Sequence, residues 1–322
     1  MIKPKVAFCW EASCGGCEEA VLDLNEDILK VIEAVDIVFW PIALDFKYAD
    51  IENMNDNEID VSFISGAIRL NEQEETVRLL RKKSKLIIAF GSCAHLGGIP
   101  ALANFWDRES ILKKVYREAP SVINPEGKEP QVKTKTASGE LELPEFYDTV
   151  KALNQVIDVD YYLPGCPPSP DLIMQTITAI LENNLPPKGS VIGPAKTLCE
   201  NCSRKDSKPD IMTLKEIKRP HEVIIDPEKC FLAQGLICLG PATRSGCGER
   251  CIKANMPCRG CFGPTDNVID QGSKFLSALA SIVDFNDEEE IKKVVDSVAD
   301  MTGTFYRFTL ASSLIKRKRR LK

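Results

Sequence analysis

Cysteine constrains this chain more than any other feature, since thirteen of its 322 residues are cysteines. The N-terminus lacks the charged and apolar regions of a signal peptide, which predicts a cytoplasmic location. In that compartment thiols stay reduced and disulfides are rare. The odd number would also leave one cysteine over from a full disulfide framework. Clustered cysteines in a reducing compartment more often bind metal or serve catalysis, so the sequence predicts metal sites.

Charge and hydropathy exclude two other classes of protein. The chain carries 41 basic and 47 acidic residues, a net charge of −6, which disfavours nucleic-acid binding by the molecule as a whole. No run approaches the ~18–20 apolar residues of a membrane-spanning helix, so no membrane span is expected.

The first half of the chain alternates short apolar runs with stretches of helical spacing. The predicted strands are residues 5–10, 36–40, 61–65, 86–90 and 159–163. The predicted helices are residues 18–35, 71–83 and 146–156. Strands that alternate with helices indicate a parallel sheet with helices on both faces. We therefore expect an α/β fold with a flavodoxin-like open parallel sheet.

An insertion rich in Pro, Lys and Glu, residues 119–144, interrupts that pattern. Within it, residues 132–136 and 140–143 flank Ala137-Ser138-Gly139 and predict an exposed hairpin. A solvated loop and a docking surface both remain open as its role.

The character of the sequence changes after residue 188. Residues 190–265 have little periodicity and contain eight cysteines, so this segment would need metal sites to hold it together. Helices are predicted at residues 272–285 and 288–299, followed by a basic tail at residues 316–322. The expected organisation is a flavodoxin-like domain, residues 1–188, and an irregular cysteine-rich domain with C-terminal helices, residues 189–322.

The first group of cysteines lies in loops that follow predicted strands. Cys14 and Cys17 follow the first strand, Cys93 follows the strand at residues 86–90, and Cys166 follows the last strand. The carboxyl ends of parallel strands share one edge of a sheet, where ligands bind. Four thiolates that converge there are the ligand set of a 4Fe–4S cluster. A thioredoxin-like redox pair would explain Cys14 and Cys17 but neither of the other two.

The second group supplies eight further ligands, enough for two sites of four. Its members are Cys199, Cys202, Cys230, Cys238, Cys247, Cys251, Cys258 and Cys261. Zinc is the main alternative, because the two C-x-x-C pairs each look like half a zinc site, although such pairs are typically only ~15–20 residues apart. The spacing of a bacterial ferredoxin is absent. Cys9, inside a strand, is left over as a buried free thiol.

Neither histidine suggests a ligand. His95 follows Cys93 and is expected to pack near the first site, and His221 is expected at the surface. No Ser/His/Asp set, phosphate loop or dinucleotide fingerprint is present, so the chain shows electron-carrying sites without a catalytic centre.

Five motifs in this order resemble those of nickel–iron hydrogenase small subunits, over about residues 5–265. They are CGGCEE at 14–19, GSCAHLGG at 91–98, PGCPP at 164–168, CLGP at 238–241 and MPCRGC at 256–261. The methyl-viologen-reducing hydrogenases of methanogens, which do not use the deazaflavin coenzyme F420, look most similar. In that comparison the chain is similar to their small (gamma) subunit.

The resemblance implies three 4Fe–4S clusters and assigns their ligands. The proximal cluster takes Cys14, Cys17, Cys93 and Cys166; the distal cluster takes Cys199, Cys202, Cys230 and Cys238; the medial cluster takes Cys247, Cys251, Cys258 and Cys261. The chain departs from many relatives in three ways. Cys199 stands where they have a distal histidine, Cys251 is a fourth medial cysteine where they have three, and Ser13 replaces a glutamate used in proton transfer. Glu11 and Glu19 are the available substitutes for that glutamate.

The resemblance also implies the partners. Hydrogen would be split at a nickel–iron centre on a separate large subunit, and electrons would leave to an iron–sulfur or flavin acceptor, such as a heterodisulfide-reductase-type complex. The alternatives are a deazaflavin-reducing hydrogenase small subunit, a quinone-reductase subunit of the complex I type, and a zinc-stabilised scaffold. The first alternative differs little in sequence, and the second has adjacent cysteines at the first motif and a single cluster.

Overall fold

The computed structural model describes residues 3–283 and 287–317. Its strands are β1 (Lys5–Trp10), β2 (Asp36–Phe39), β3 (Ile59–Ser65), β4 (Ile68–Leu70), β5 (Ser84–Phe90), β6 (Lys133–Thr136), β7 (Gly139–Glu142), β8 (Phe146–Lys151) and β9 (Tyr161–Leu163). Its α-helices are α1 (Gly16–Leu22), α2 (Asp27–Ala34), α3 (Tyr48–Glu52), α4 (Asn71–Lys83), α5 (Gly91–Leu96), α6 (Arg108–Lys113), α7 (Pro170–Leu181), α8 (Leu198–Asn201), α9 (Arg250–Lys253), α10 (Gln271–Ala280), α11 (Glu288–Ser297) and α12 (Met301–Phe305). The main 3₁₀ turns are Ile99–Phe105, Leu153–Gln155, Lys205–Ser207, Pro220–Glu222, Leu232–Gln234, Gly240–Ala242 and Leu310–Ser312.

Five parallel strands form the central sheet in the order β2-β1-β3-β5-β9. Counted along the chain this is the flavodoxin-like order, in which the connections change direction beside the first strand. The inner strand β3 is buried along nearly its whole length, as expected for a parallel strand covered on both faces. The predicted α/β fold with an open parallel sheet is therefore confirmed.

Each face of the sheet has its own apolar core, because alternate residues of a strand point to opposite sides. Phe8, Phe63 and Phe90 pack on one face with residues of α1, α2 and α7. Cys9 and Ile64 pack on the other face with residues of α3 and α4. The sheet is thus held rigidly between two layers, and so are the loops at its carboxyl edge.

The cysteine-rich part of the chain packs on a third core. Its helices α8 and α9 have only four residues each. Leu236 and Leu310 are fully buried in this core together with Ala101, which belongs to the first half of the chain. Phe262 in turn is buried in the core that covers one face of the sheet. The two halves share buried contacts, and the division at residue 188 stays a prediction.

Two predicted helices differ from the structure. Residues 18–35 form α1 and α2 instead of one helix, because Asn25 takes a left-handed conformation with φ of 52° between them. Residues 146–151 form strand β8, which pairs antiparallel with β4, so the prediction of a helix at 146–156 was wrong. The aromatic and β-branched residues of this segment suit a sheet, and the partner strand decides between the two states.

The predicted hairpin is present, with β6 and β7 paired antiparallel. Helices α10 and α11 correspond to the two predicted C-terminal helices. The end of the first prediction, residues 284–285, and most of the basic tail, residues 318–322, lie outside the described residues. Within the described residues no helix is long and apolar enough to cross a membrane.

Candidate iron–sulfur sites

Four cysteines meet at the carboxyl edge of the sheet. Cys14 precedes α1 and Cys17 lies in its first turn, Cys93 lies in α5 directly after β5, and Cys166 follows β9. Cys17 and Cys93 are buried, while Cys14 is exposed. Burial and the neighbouring thiols of Cys166 and Cys14 raise the pKa of Cys93 to about 12. Burial and the thiols of Cys93, Cys166 and Cys14 likewise raise the pKa of Cys17. The structure thus brings these four cysteines together.

Two glycines leave room for the sulfur atoms of this group. Gly91 has φ of 84°, and a Cβ there would collide with Cys17 Sγ. Gly98 has φ of 58°, and its Cβ would lie 2.5 Å from Cys93 Sγ. Any other residue at these positions would have both an unfavourable backbone conformation and a steric clash. The backbone therefore approaches the sulfurs as closely as it can.

Ser92 connects the loops of this site through hydrogen bonds. Its backbone N–H and its hydroxyl both donate to Gly165 O, at 2.7 Å and 2.8 Å. The hydroxyl also contacts Cys261 O in the cysteine-rich segment. One side chain thus joins the loop after β5, the loop after β9 and the last cysteine of the chain.

A second set of four cysteines lines one small cavity. Its members are Cys199, Cys202, Cys230 and Cys238. Cys230 and Cys238 are buried and the other two are half-buried. Burial raises the pKa of Cys238 to about 12 and that of Cys199 to about 11, the latter opposed by the nearby ammonium of Lys208.

Arg204 holds this second site together, and sequence reasoning did not identify it. The side chain is 6% exposed, and its guanidinium carbon lies 4.1 Å from the centre of the Phe231 ring. The guanidinium donates to Lys229 O at 3.2 Å and to Asn255 Oδ1 at 2.8 Å. These contacts connect the segments that carry Cys202, Cys230 and Cys251. The only signal in the sequence was an arginine within two residues of a C-x-x-C pair.

The third set is Cys247, Cys251, Cys258 and Cys261, and its members range from buried to exposed. Burial and the thiols of Cys247, Cys166 and Cys251 raise the pKa of Cys261 to about 12. Cys258 is buried, and its backbone N–H donates to Cys238 Sγ at 3.3 Å. Cys251, on α9, is exposed. This set lies between the other two, because Cys261 neighbours Cys166 and Cys258 neighbours Cys238.

The donor chemistry of the three sets fits iron–sulfur clusters. Buried thiols beside one another stay protonated without a metal, and they give up their protons to bind one. Four cysteines per set match the ligand number of a 4Fe–4S cluster. In the described part of the chain, no three His, Cys, Asp or Glu side chains are arranged to hold a single metal ion.

Cys9 does not join any set. It is 3% exposed in β1 and donates its thiol hydrogen to Glu11 Oε1 at 3.3 Å. Burial raises the pKa of Glu11 to about 8, so that carboxyl group holds a proton near neutral pH. Glu19, the other carboxylate considered from the sequence, is exposed.

Glu18 is a buried carboxylate that sequence reasoning missed. It is 3% exposed and accepts hydrogen bonds from Trp40 Nε1 at 2.6 Å and from Ser65 Oγ at 3.0 Å. Burial raises its pKa. Helical spacing could have identified it, because Glu18 lies on the same face of α1 as Val21, which is also buried.

The two histidines differ in burial. His95 is buried, and its ring centroid lies 4.8 Å from that of Tyr162. Burial and the charge of Arg244 lower the pKa of His95 to about 3, so the ring is neutral. His221 is exposed in a 3₁₀ turn.

Comparison with known proteins places the chain among redox enzymes. Residues 14–180 match the family described as NADH ubiquinone oxidoreductase, 20 kDa subunit. The iron–sulfur subunit of the F420-non-reducing hydrogenase of Archaeoglobus profundus is 42% identical over 98% of this chain and 98% of its own. A subunit of the F420-non-reducing hydrogenase of Methanothermobacter marburgensis is 38% identical over 98% of this chain and 97% of its own. The solved structure of the H2-activated [NiFeSe]-hydrogenase of Dm. baculatum has a similar fold, with a TM-score of 0.53 and 18% identity over 83% of this chain and 96% of that chain.

Proposed function

Because this chain belongs to the family of F420-non-reducing hydrogenase iron–sulfur subunits, we propose that it is the electron-transfer subunit of a nickel–iron hydrogenase. The observation that carries the proposal is the meeting of four thiols, from three separate loops, at the carboxyl edge of the sheet. Hydrogen would be split on a partner large subunit, and this chain would carry the electrons away.

We propose three 4Fe–4S clusters as its cofactors, which would supply one-electron donor and acceptor chemistry. The proposed ligands are Cys14, Cys17, Cys93 and Cys166 for the proximal cluster, Cys247, Cys251, Cys258 and Cys261 for the medial cluster, and Cys199, Cys202, Cys230 and Cys238 for the distal cluster. The position of the third set between the other two supports the order proximal, medial, distal. The role of Cys251 is the part of this assignment that most needs a test, because its side chain is exposed.

The residues around the thiols would position the ligands and exclude water. Gly91 and Gly98 keep the backbone close to Cys17 and Cys93. Arg204 fixes the loops of the distal set, and Lys208 places a positive charge beside Cys199. Hydrogen bonds and nearby charge of this kind set the reduction potentials of such sites.

The distal set, in which Cys199 and Cys202 are half-buried, is the proposed exit for electrons, to an iron–sulfur or flavin acceptor such as a heterodisulfide-reductase-type complex. We also propose a cytoplasmic location and two domains that meet at residue 188. The insertion at residues 119–144 has no assigned role in this proposal.

The first test is the metal content of the anaerobically purified protein. About 12 iron and 12 sulfide per chain are expected from three four-iron clusters. Zinc in place of iron would instead support a zinc-stabilised scaffold. About four iron per chain would favour a quinone-reductase subunit with one cluster.

A pair of cysteine variants tests the proximal ligands. Cys17→Ala should abolish hydrogen-dependent dye reduction and remove about four iron per chain. Cys9→Ala is the matched control, since Cys9 is a similarly buried cysteine of the same sheet region that belongs to no set. Survival of full activity and iron content in Cys17→Ala would overturn the proximal assignment.

A further inference from the structure

A cavity of ≈ 390 Å³ lies beside the third cysteine set and has no part in the proposed function. Four segments enclose it: residues 217–221, 236–237, 256–259 and 297–307. No cysteine lines it, but Cys258 stands between two of its lining residues, Pro257 and Arg259.

Positive charge is concentrated in this cavity. Arg219, Arg259 and Arg307 line it, together with Lys218 and His221. Arg219 and Arg307 both lie close enough to Arg259 for their charges to act on it. Burial lowers the pKa of Arg259, and the charges of Arg307 and Arg219 lower it further.

None of these three arginines forms an ion pair within residues 3–283 and 287–317. Among the residues that the structure describes, no carboxylate lies within ion-pair distance of any of them, and Arg307 donates from Nε to Gly303 O at 2.8 Å. Among the described residues of the lining, the acidic one is Asp300, which is exposed and caps α12 by accepting a hydrogen bond from Gly303 N at 2.8 Å. Lys218 is paired with Glu216. The charges of Arg307 and Arg219 act against the charged form of Arg259, and the thiols of Cys251 and Cys238 favour it. A bound anion would further reduce the repulsion between the guanidinium groups.

We propose that this cavity binds a small dianionic oxyanion of the phosphate type through Arg219, Arg259 and Arg307. The planar guanidinium group donates paired hydrogen bonds in the geometry that phosphate oxygens accept. The volume is at the lower end of the range for small-molecule sites, which fits a phosphate or a small phosphorylated molecule. Apolar walls from Ile237, Met256 and Val298 reduce the local dielectric and strengthen the attraction.

Occupancy of this cavity also acts on the neighbouring thiols. Arg259 lines the cavity and directly follows Cys258 in the chain, so a charge bound there lies beside the third cysteine set. A bound dianion would offset the positive charge there and lower the reduction potential of the proposed medial site. This second statement rests on the proposed function, whereas the binding of phosphate does not.

The test uses the purified hydrogenase complex and inorganic phosphate at constant ionic strength, with binding measured by calorimetry. The double variant Arg219→Gln/Arg307→Gln should bind phosphate at least about tenfold more weakly, because charge-assisted hydrogen bonds are lost. Lys292→Gln is the matched control: it removes one positive charge from an exposed position on α11, outside the cavity lining, and should leave the affinity unchanged.

A competition experiment on the wild-type complex keeps the proposal testable if the double variant fails to fold. Sulfate should displace phosphate, and chloride at the same ionic strength should not. Absence of phosphate binding to the wild-type complex would overturn the proposal. Equal affinities in the double variant and Lys292→Gln would overturn it as well.

A redox titration followed by EPR separates this proposal from the proposed function. A phosphate-dependent fall in one cluster potential supports the coupling, and an unchanged potential with phosphate bound refutes the coupling alone. Phosphate binding by a protein that contains no iron would refute the proposed function and leave the anion site standing.

Discussion

Substitution of Gly91 by alanine tests whether the approach of the backbone to Cys17 is required for the proximal site. Gly91 has φ of 84°, a conformation that costs an L-residue about 1–2 kcal/mol. An added Cβ would also collide with Cys17 Sγ, and the carbonyl of Gly165 lies only 3.4 Å from the same Cβ position. The sulfur cannot retreat, because Cys17 is buried against the core of the sheet.

Gly189→Ala provides the matched control. Gly189 has φ of 88°, nearly the value at Gly91, but no atom lies within 4 Å of its added Cβ. Both variants therefore lose about 1–2 kcal/mol through backbone strain. Only Gly91→Ala should also displace a sulfur ligand.

The assay measures iron and sulfide per chain and the midpoint of chemical unfolding, for wild type and both variants. Gly189→Ala should keep about 12 iron, whereas Gly91→Ala should lose about four of them and be the less stable variant. If Gly91→Ala retained its full iron content, the sulfur of Cys17 would not be held where the structure places it. The reasoning from steric fit would then be refuted.

Two further predictions concern Cys251 and Glu11. Cys251→Ala should lower the iron content from about 12 to about 11 and give the EPR signal of an oxidised 3Fe–4S centre; an unchanged cluster would show that this exposed thiol is not a ligand. Burial raises the pKa of Glu11 from its ordinary value of 4.5 to about 8 in the folded protein. The stability that its neutral form provides is therefore complete below pH 4.5 and is lost as pH rises through 8. Glu11→Gln stays neutral and should therefore unfold at higher denaturant concentration than wild type above pH 8, with the two proteins converging towards pH 5. Parallel stability curves over that range would contradict the burial of a protonated carboxyl group at this position.

Sequence patterns predicted most of the sheet because its strands are buried on both faces. The run at residues 61–65, apolar apart from Ser62 and Ser65, and the continuous apolar run at residues 86–90 fall within β3 and β5. The segment at residues 146–151 was mistaken for a helix because its state depends on pairing with β4, a contact about 80 residues away in sequence that local propensity does not contain.

The site could be predicted in part for a similar reason. Cys14, Cys93 and Cys166 were grouped from strand ends alone, because topology fixes which loops meet in a parallel sheet. The eight later cysteines lie in irregular backbone. Their number predicts two sites of four ligands, but only the resemblance to hydrogenase small subunits divides them into sets. Arg204 was missed because its importance comes from burial, which a single sequence does not report for an isolated charged residue in irregular backbone. Glu18 could have been predicted, because helical spacing places it on the same face of α1 as the buried Val21.

The hydroxyl of Ser92 joins the loop of Cys166 to Cys261, at the point where the sheet meets the cysteine-rich segment. Close-packed protein interiors are hardly compressible, so this contact keeps the gap between the two parts constant. In the proposed relay an electron crosses that gap by tunnelling, and the rate of tunnelling depends steeply on separation. In that proposal a single hydroxyl group would act as a spacer, and the transfer rate would stay uniform while the rest of the molecule fluctuates.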